Sequence, residues 1–520
     1  MFSSFVGRLT VLIAAAALVI PVLGASSPVF AQANTLKLGA PSLPPSRGNP
    51  LQGLGTPTSY VWSAIFDAMT RLDENGEVSP EAAVSWKNMS PTTWQIELRP
   101  NVKFHNGEPL DAAGVAQNIL YLLNDDVGRA SLTGKDLSQK IAKVRAIDEL
   151  TLEIETTFPN PEVAREVMKL YLVAPKAWQD LGLEGFSANP SGTGSYKVED
   201  WGGEVVKLVA DEGSWRKPNI ERFQILNLGE AAARLQALLS GQIDVAVGLS
   251  IDSISQLDDA GYHADIYSAP YIMAWPFISV ESTNPDSPFT DKRVRQAANY
   301  AVDKDNIVQN LLNGNGFAAG QGATRQTFGY NPDVVAYPYD PDKARALLAE
   351  AGLPNGFKMA VELLPGNFPA DSDIYQQVAQ DLGKVGIDVE VRAITFADFL
   401  GKCCTGKAVG FPEDVYAFQL DFPLGVGATA ASLVQRNWSC RSSKGFYCNE
   451  AEMALLVDAE TEFDVDKRRA KLQKLMASFH DNAPGLFITE IVDLVARSPK
   501  VEGLVMVNRI LNYHQATKAN

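Results

Sequence analysis

Residues 288–316, PFTDKRVRQAANYAVDKDNIVQNLLNGNG, read as an amphipathic helix running into a loop. Val294, Ala298, Ala301 and Val302 fall at i, i+4, i+7 and i+8 and share one face, while Lys292, Arg295 and Gln296 face elsewhere. The Asn313-Gly314-Asn315-Gly316 run then stops the helix, because Asn and Gly tolerate the left-handed backbone that a helix end requires. On residue chemistry alone this is a helix with one buried face, followed by a loop.

Outward from this stretch, the chain is too long for one hydrophobic core. Its 520 residues predict two or three domains. Lys and Arg number 45 against 61 Asp and Glu, a formal charge of -16. That balance argues against nucleic acid and anionic membrane surfaces as partners. Residues 1–33 read as a cleavable secretory signal. Arg8 precedes an apolar run from Val11 to Leu23, and Ala31-Gln32-Ala33 supplies the small residues read at cleavage, with Ala31 as the second choice of site. A membrane anchor is the competing reading, opposed by a short run interrupted at Pro21 and Gly24. No Cys follows that run, so lipid attachment is not expected, and the mature protein is expected to be soluble and outside the cytoplasm.

Cys403, Cys404, Cys440 and Cys448 lie in one region. In an oxidising compartment this predicts disulfides, with three possible connectivities. Cys440 with Cys448 is the preferred pair, across the polar SCRSSKGFYC loop, since the neighbours Cys403 and Cys404 cannot both reach one partner without strain. Zinc is the alternative, opposed by the lack of C-x-x-C spacing and of a nearby His. No metal and no cofactor are expected.

In chain order, LKLGA at 36–40 starts as a strand, and Tyr60 to Leu72 has helical spacing. Trp94, Ile96 and Leu98 alternate with polar residues as a half-buried strand, Asn106-Gly107 turns, and a helix follows from Asp111. His105 there reads as a turn residue rather than a catalytic one. LTLEIET at 150–156 is another alternating strand. SGTGSYKVEDW at 191–201 is a turn and a strand. With no Gly-Lys-Ser/Thr following, Gly192 and Gly194 fail as a phosphate loop. Helix 231–240, Gly241 and strand 243–248 form one α/β unit. YIMAWPFIS at 271–279 reads as a buried strand where the chain crosses between lobes. Asp340 and Pro341 start a helix well, Phe357, Met359, Val361 and Leu363 alternate as a strand, and helix 374–384 leads to strand IDVEVRAI. Such alternation predicts parallel pairing with crossover helices. A helical pair spans 449–479.

Taken together and in order, these stretches resemble the bacterial extracytoplasmic solute-binding proteins of family 5, which serve peptide, nickel and opine ABC importers. The resemblance is carried by residues 288–316, by the block from Ser79 to Leu120, by SGTGSY, by LLSGQIDV at 238–245, by YDPDKARALLAEAG at 339–352 and by LGKVGIDV at 382–389. It implies an α/β, two-lobed periplasmic binding protein fold of the cluster C type, with a cleft between lobes. Lobe I is expected at 34–270 plus 485–520, with an inserted subdomain at about 60–184, and lobe II at 271–484. It also implies the substrate-binding protein of an ABC importer, a monomer that captures a peptide or peptide-like solute and delivers it to permease subunits in the inner membrane. A sugar, glycoside, sugar-phosphate or opine remains open as the solute, and sensing remains open beside transport.

No HExxH, GxSxG or P-loop is present, and His105, His263, His480 and His514 stand in unrelated contexts, so no catalytic residue is named. An extracytoplasmic hydrolase of such solutes is the rival class. A binding cleft needs aromatic faces and a few placed polar groups. Tyr60, Trp275 and Phe418 are the aromatic candidates for ligand contact, each weighed against core packing. In peptide-binding relatives a GW-x-x-D segment pairs its aspartate with the ligand ammonium. AFQLD at 417–421 resembles it and makes Asp421 the candidate. Phe418 replaces the Trp, and FPLG stands where a DP is usual. Dipeptide-binding relatives also carry an Arg after the 357–363 strand, where this chain has LLPGNFPADSD with no basic residue. A strict dipeptide binder is not expected on that departure, and longer peptides read through their backbone stay open beside the other solutes.

Overall fold

The computed structural model describes residues 35–51, 56–280, 284–365, 370–395, 398, 399, 402, 411–419, 427–441 and 446–519. The expected signal, Asp421, Cys403 and Cys404 lie outside them. Among the described residues, no helix is long and apolar enough to cross a membrane.

An eight-stranded sheet forms the first layer. Strand β1 (Thr35–Ala40) buries Leu36 and Leu38 and is followed by helix α1 (Thr56–Ile65). β1 runs parallel to β2 (Arg222–Asn227) and to β3 (Val245–Val247), and the helix Ala231–Leu239 is the crossover between those two. Two long antiparallel strands complete one side, β4 (His263–Pro276) and, later in the chain, Gly485–Arg497. Strands 205–210 and 196–201 complete the other. A separate four-stranded antiparallel sheet (83–90, 93–98, 151–156, 141–146) buries Trp94, Ile96 and Leu98 as the alternation predicted.

Helix α2 (Lys292–Ala301) lies within residues 288–316. The Asp291 carboxylate accepts from Arg293 N to cap it, and Val294, Ala297, Ala298 and Ala301 are buried. The helix does not continue to the Asn-Gly run. Asp303 caps a new turn by accepting from Asn306 N, and the chain resumes as a wider helical segment at Ile307–Leu311. The helix expected over Tyr60–Leu72 is also shorter. It leaves α1 before Asp67, whose buried carboxylate accepts from Thr193 and Trp215 and pairs with Arg216, and Thr70–Leu72 is a strand.

The second parallel sheet holds β5 (Phe357–Leu363) between its two neighbours. Helix α3 (Asp371–Gly383) crosses to β6 (Ile387–Ala393), and β7 (Val415–Phe418) lies on the other side. The expected helical pair is present as Glu450–Glu460 and α4 (Val465–Asn482), and Gly485–Arg497 is β8. Cys440 and Cys448 are joined as a disulfide. Glu450 lies close to both sulfurs, but with those sulfurs bonded to each other no thiolate remains for a metal.

β4 and β8 carry the chain from one core to the other. On β4 the pairing register slips between Ser268 and Ile272. Tyr267 packs on the core of the first sheet, whereas Ala269 and Tyr271 belong to the core of the second. On β8 the same change falls between Val492 and Val495. Beyond β4, Ile278 N donates to Tyr416 O, which ties the strand's end to β7.

A candidate ligand cleft

Open α/β sheets bind ligands outside the carboxyl ends of their parallel strands. In the first sheet this rim is held by Arg234, a buried residue on the crossover helix. Its guanidinium donates to Leu228 O at 2.6 Å, Gly229 O at 2.7 Å, Val247 O at 2.9 Å and Gly248 O at 2.6 Å. The cation is thereby committed to shaping the ends of β2 and β3. Just beyond β3, Ile251 packs into the core of the second sheet.

At the corresponding edge of the second sheet stands Gln419, fully buried, directly after β7. Its N–H donates to Glu362 O at 3.0 Å, and its side-chain oxygen accepts from Leu364 N. Glu362 is buried at the same edge and pairs with Lys402, which lies 5.2 Å from the Phe411 ring centroid. A basic group therefore does reach this edge, from a different segment than the expected loop, and its charge is met by Glu362.

The flanks of Asp421 are defined on both sides. Gln419 ends the strand, and Gly427 sits with positive φ where a Cβ would stand 2.6 Å from Met168 Sδ and 2.8 Å from Arg165 O. Only glycine fits such an approach without a shift.

The aromatic candidates are not brought together. Phe418 is fully buried among Phe399, Phe411 and Phe446, with ring centroids 5.5, 5.1 and 6.3 Å away. Trp275 is fully buried in the core of the second sheet, 6.1 Å from Tyr375, and its indole N–H has no hydrogen-bond partner. Tyr60, on α1, belongs to the first core and lies beside Asp493, Arg509 and Tyr271 near the register slip of β4. Burial, then Asp493, push its phenol above the ordinary range. Arg509 there donates to Asp493 at 2.7 Å and stacks 4.2 Å from the Tyr271 centroid. The three rings thus sit in three separate clusters.

His105 has a structural explanation. One ring nitrogen bonds Gly194 O at 3.1 Å, the other accepts from Gly192 N at 3.4 Å, and burial lowers its pKa. Gly192 and Gly194 press against the end of α1, where a Cβ on Gly192 would stand 2.2 Å from Ile65 O. That closeness, not a phosphate, requires the glycines. A cavity of about 500 Å³ beside β8 is lined by Lys304, Gln321, Arg325, Tyr337 and Glu490 among others, but by nothing from the β5–β7 edge.

Sequence reasoning did not find Arg234, Gln419 or the Glu362–Lys402 pair. A charged residue within an apolar strand, as at Glu362 in FKMAVELL, was the available signal.

Comparison with known proteins shows the family. The profile of the bacterial extracellular solute-binding proteins, family 5, matches residues 77–433, well over half of the chain. The glutathione-binding protein GsiB of Pectobacterium atrosepticum is 27% identical over 436 residues, covering 82% of each chain. The dipeptide-binding protein of Escherichia coli is 25% identical over 464 residues, covering 83% of this chain and 84% of its own. The structure of HbpA2 from Haemophilus parasuis superposes with a TM-score of 0.82 at 21% identity, covering 94% of this chain and 100% of that one. The family consists of solute-binding proteins rather than enzymes, which sets aside the hydrolase reading. This chain belongs to the bacterial extracellular solute-binding proteins, family 5.

Proposed function

We propose that this chain captures a peptide or peptide-like solute between two lobes and presents it to the membrane permease of an ABC importer. The observation that carries the reading is the anchoring of both ends of the segment that holds Asp421. Gln419 is tied into the carboxyl edge of the second sheet, and Gly427 is seated on Met168 and Arg165. In this reading the Asp421 carboxylate pairs with a ligand ammonium, the charged partner that a carboxylate in a binding site calls for. The names of the relatives, glutathione-binding and dipeptide-binding, support the peptide class. Lys402 is already paired with Glu362, so recognition in this reading rests on the ammonium end and on backbone contacts.

The lobe boundaries follow the change of core. The hinge in this reading falls near 269–271 on β4, at the 270 expected from sequence, and near 492–494 on β8, about eight to ten residues beyond the expected 484. Residues 1–33 serve in this reading as the signal that delivers a monomer to the periplasm. Of the three aromatic candidates, Phe418 and Trp275 act as core and Tyr60 as a hinge residue.

Calorimetric titration of ligand-free protein (residues 34–520) with glutathione and a panel of di- to pentapeptides tests the proposal. Binding by the wild type is expected, and Asp421→Asn should weaken it by about tenfold or more, the worth of a charged hydrogen bond. No binding across the panel, or equal binding by the variant, overturns it.

A further inference from the structure

At one place the 60–184 region and the second lobe meet through a cluster of charged groups, with Phe463 packed beside it on the first core. Glu162 and Arg165, at the helix Val163–Glu166, face Arg468 and Arg469 in the first turn of α4. The Glu162 carboxylate serves both sides, 3.3 Å from Arg165 Nε and 2.6 Å from Arg468 Nε. Arg469 reaches Glu77 at 2.8 Å across the same junction. Phe328 lies buried among three guanidiniums, its centroid 4.7 Å from Arg165, 5.3 Å from Arg468 and 4.6 Å from Arg469. Alongside, Trp94 of the first core stacks on Phe463 at 6.4 Å, and Gly427 rests on Met168.

The chemistry of this junction differs from that of a permanent interface, which is apolar. Three cations meet two carboxylates, and Arg165 Nη1 is buried with no hydrogen-bond partner. Arg165 and Arg468 are only 4% and 6% exposed. Guanidinium is the cation best suited to such repeated burial, being weakly hydrated and able to stack on an aromatic face. Interfaces between domains of one chain that carry this much charge permit relative motion of the parts they join.

Resting on the two-lobe reading above, we propose that Glu162, Phe328 and the three arginines Arg165, Arg468 and Arg469 form a latch that closes the cleft without ligand. The latch touches no solute in this account and acts through the closed population. A solute that binds the closed form sees an affinity reduced in proportion to the fraction of chains closed. Opening the latch therefore weakens binding of every solute by the same factor, whereas a contact residue such as Asp421 discriminates among solutes.

Small-angle X-ray scattering on residues 34–520, unfolded and refolded to remove any carried ligand, reads the latch directly. The wild type is expected to have a compact radius of gyration. Glu162→Gln and, separately, the more exposed Arg469→Gln should expand it, each lowering the closed-to-open ratio by about tenfold. An unchanged thermal midpoint for Arg469→Gln shows that the lobes themselves remain folded. Variants that keep the wild-type radius, or a wild type already as expanded as its variants, overturn the latch. Titrating the wild type with glutathione and the peptide panel tests the solute class separately. A chain that binds none of them but expands on Glu162→Gln keeps the latch and loses the peptide assignment. A chain that binds them with an unchanged radius in both variants does the reverse.

Discussion

Replacing Lys304 by Met should stabilise this protein near neutral pH. Lys304 is 2% exposed, and its ammonium donates to Asn299 Oδ1 at 3.1 Å and to Ala319 O at 3.3 Å. Both acceptors are neutral, and the carboxylate that favours its charge is the neighbouring Asp305. Burial brings its pKa down from 10.5 to about 7. An unfolded lysine keeps its proton up to 10.5, so between the two values the unfolded state binds more protons and stability rises with pH. Linkage puts the penalty at about 4 kcal/mol near pH 7 and about 2 kcal/mol near pH 9. Methionine removes that penalty but leaves Asn299 Oδ1 and the Ala319 carbonyl without their donor, at a cost of about 1–3 kcal/mol. The variant should gain about 1–3 kcal/mol near pH 7, and the gain should vanish near pH 9. Urea unfolding followed by tryptophan fluorescence at the two pH values measures this, because every other titrating group is common to both proteins. A Lys304→Met protein that is less stable near pH 7 and keeps the wild-type pH slope would refute the reasoning.

Three further substitutions test the assignments of core and site. Phe418→Ala should cost about 3–5 kcal/mol in urea unfolding, as expected for a buried aromatic; unaltered stability with lost solute binding would return Phe418 to the ligand wall. Gly192→Ala drives a methyl group to 2.2 Å from Ile65 O and should lower stability by about 1–3 kcal/mol, with a fall in thermal midpoint as the readout. Cys440→Ser opens a loop of sequence separation 8 and should cost about 2–3 kcal/mol, matched by the wild type under reducing agent. Equal midpoints with and without reductant would show that this bond does not constrain the unfolded chain.

Much of the fold is legible because its signals are local. The buried face of α2, the Asp340 cap, the alternation in Trp94–Leu98 and the helix–strand succession from Pro341 to Ala393 all depend on spacing within a few residues. Where the reading failed, a single polar group outweighed the period. Asp303 restarts the helix that periodicity carried through, and Asp67 draws the chain out of α1 toward Arg216. The first half of β4, His263 to Ala269, was missed for another reason. Its residues from His263 to Ser268 are partly exposed and lack a clean alternation, and its length is set by pairing with β8, more than 200 residues away in sequence. The site is less legible than the fold. Asp421 came from resemblance alone, and Arg234 and Gln419 act on backbone atoms whose positions follow from sheet register. No spacing in the sequence encodes those partners.

The most direct test of the central claim is native mass spectrometry of the protein as purified from the cells that make it, followed by mass analysis of what denaturation releases. The account predicts a bound form that releases peptide masses, and an Asp421→Asn variant that is recovered without them. Release of a single sugar-like or phosphorylated mass, retained equally by Asp421→Asn, would contradict it.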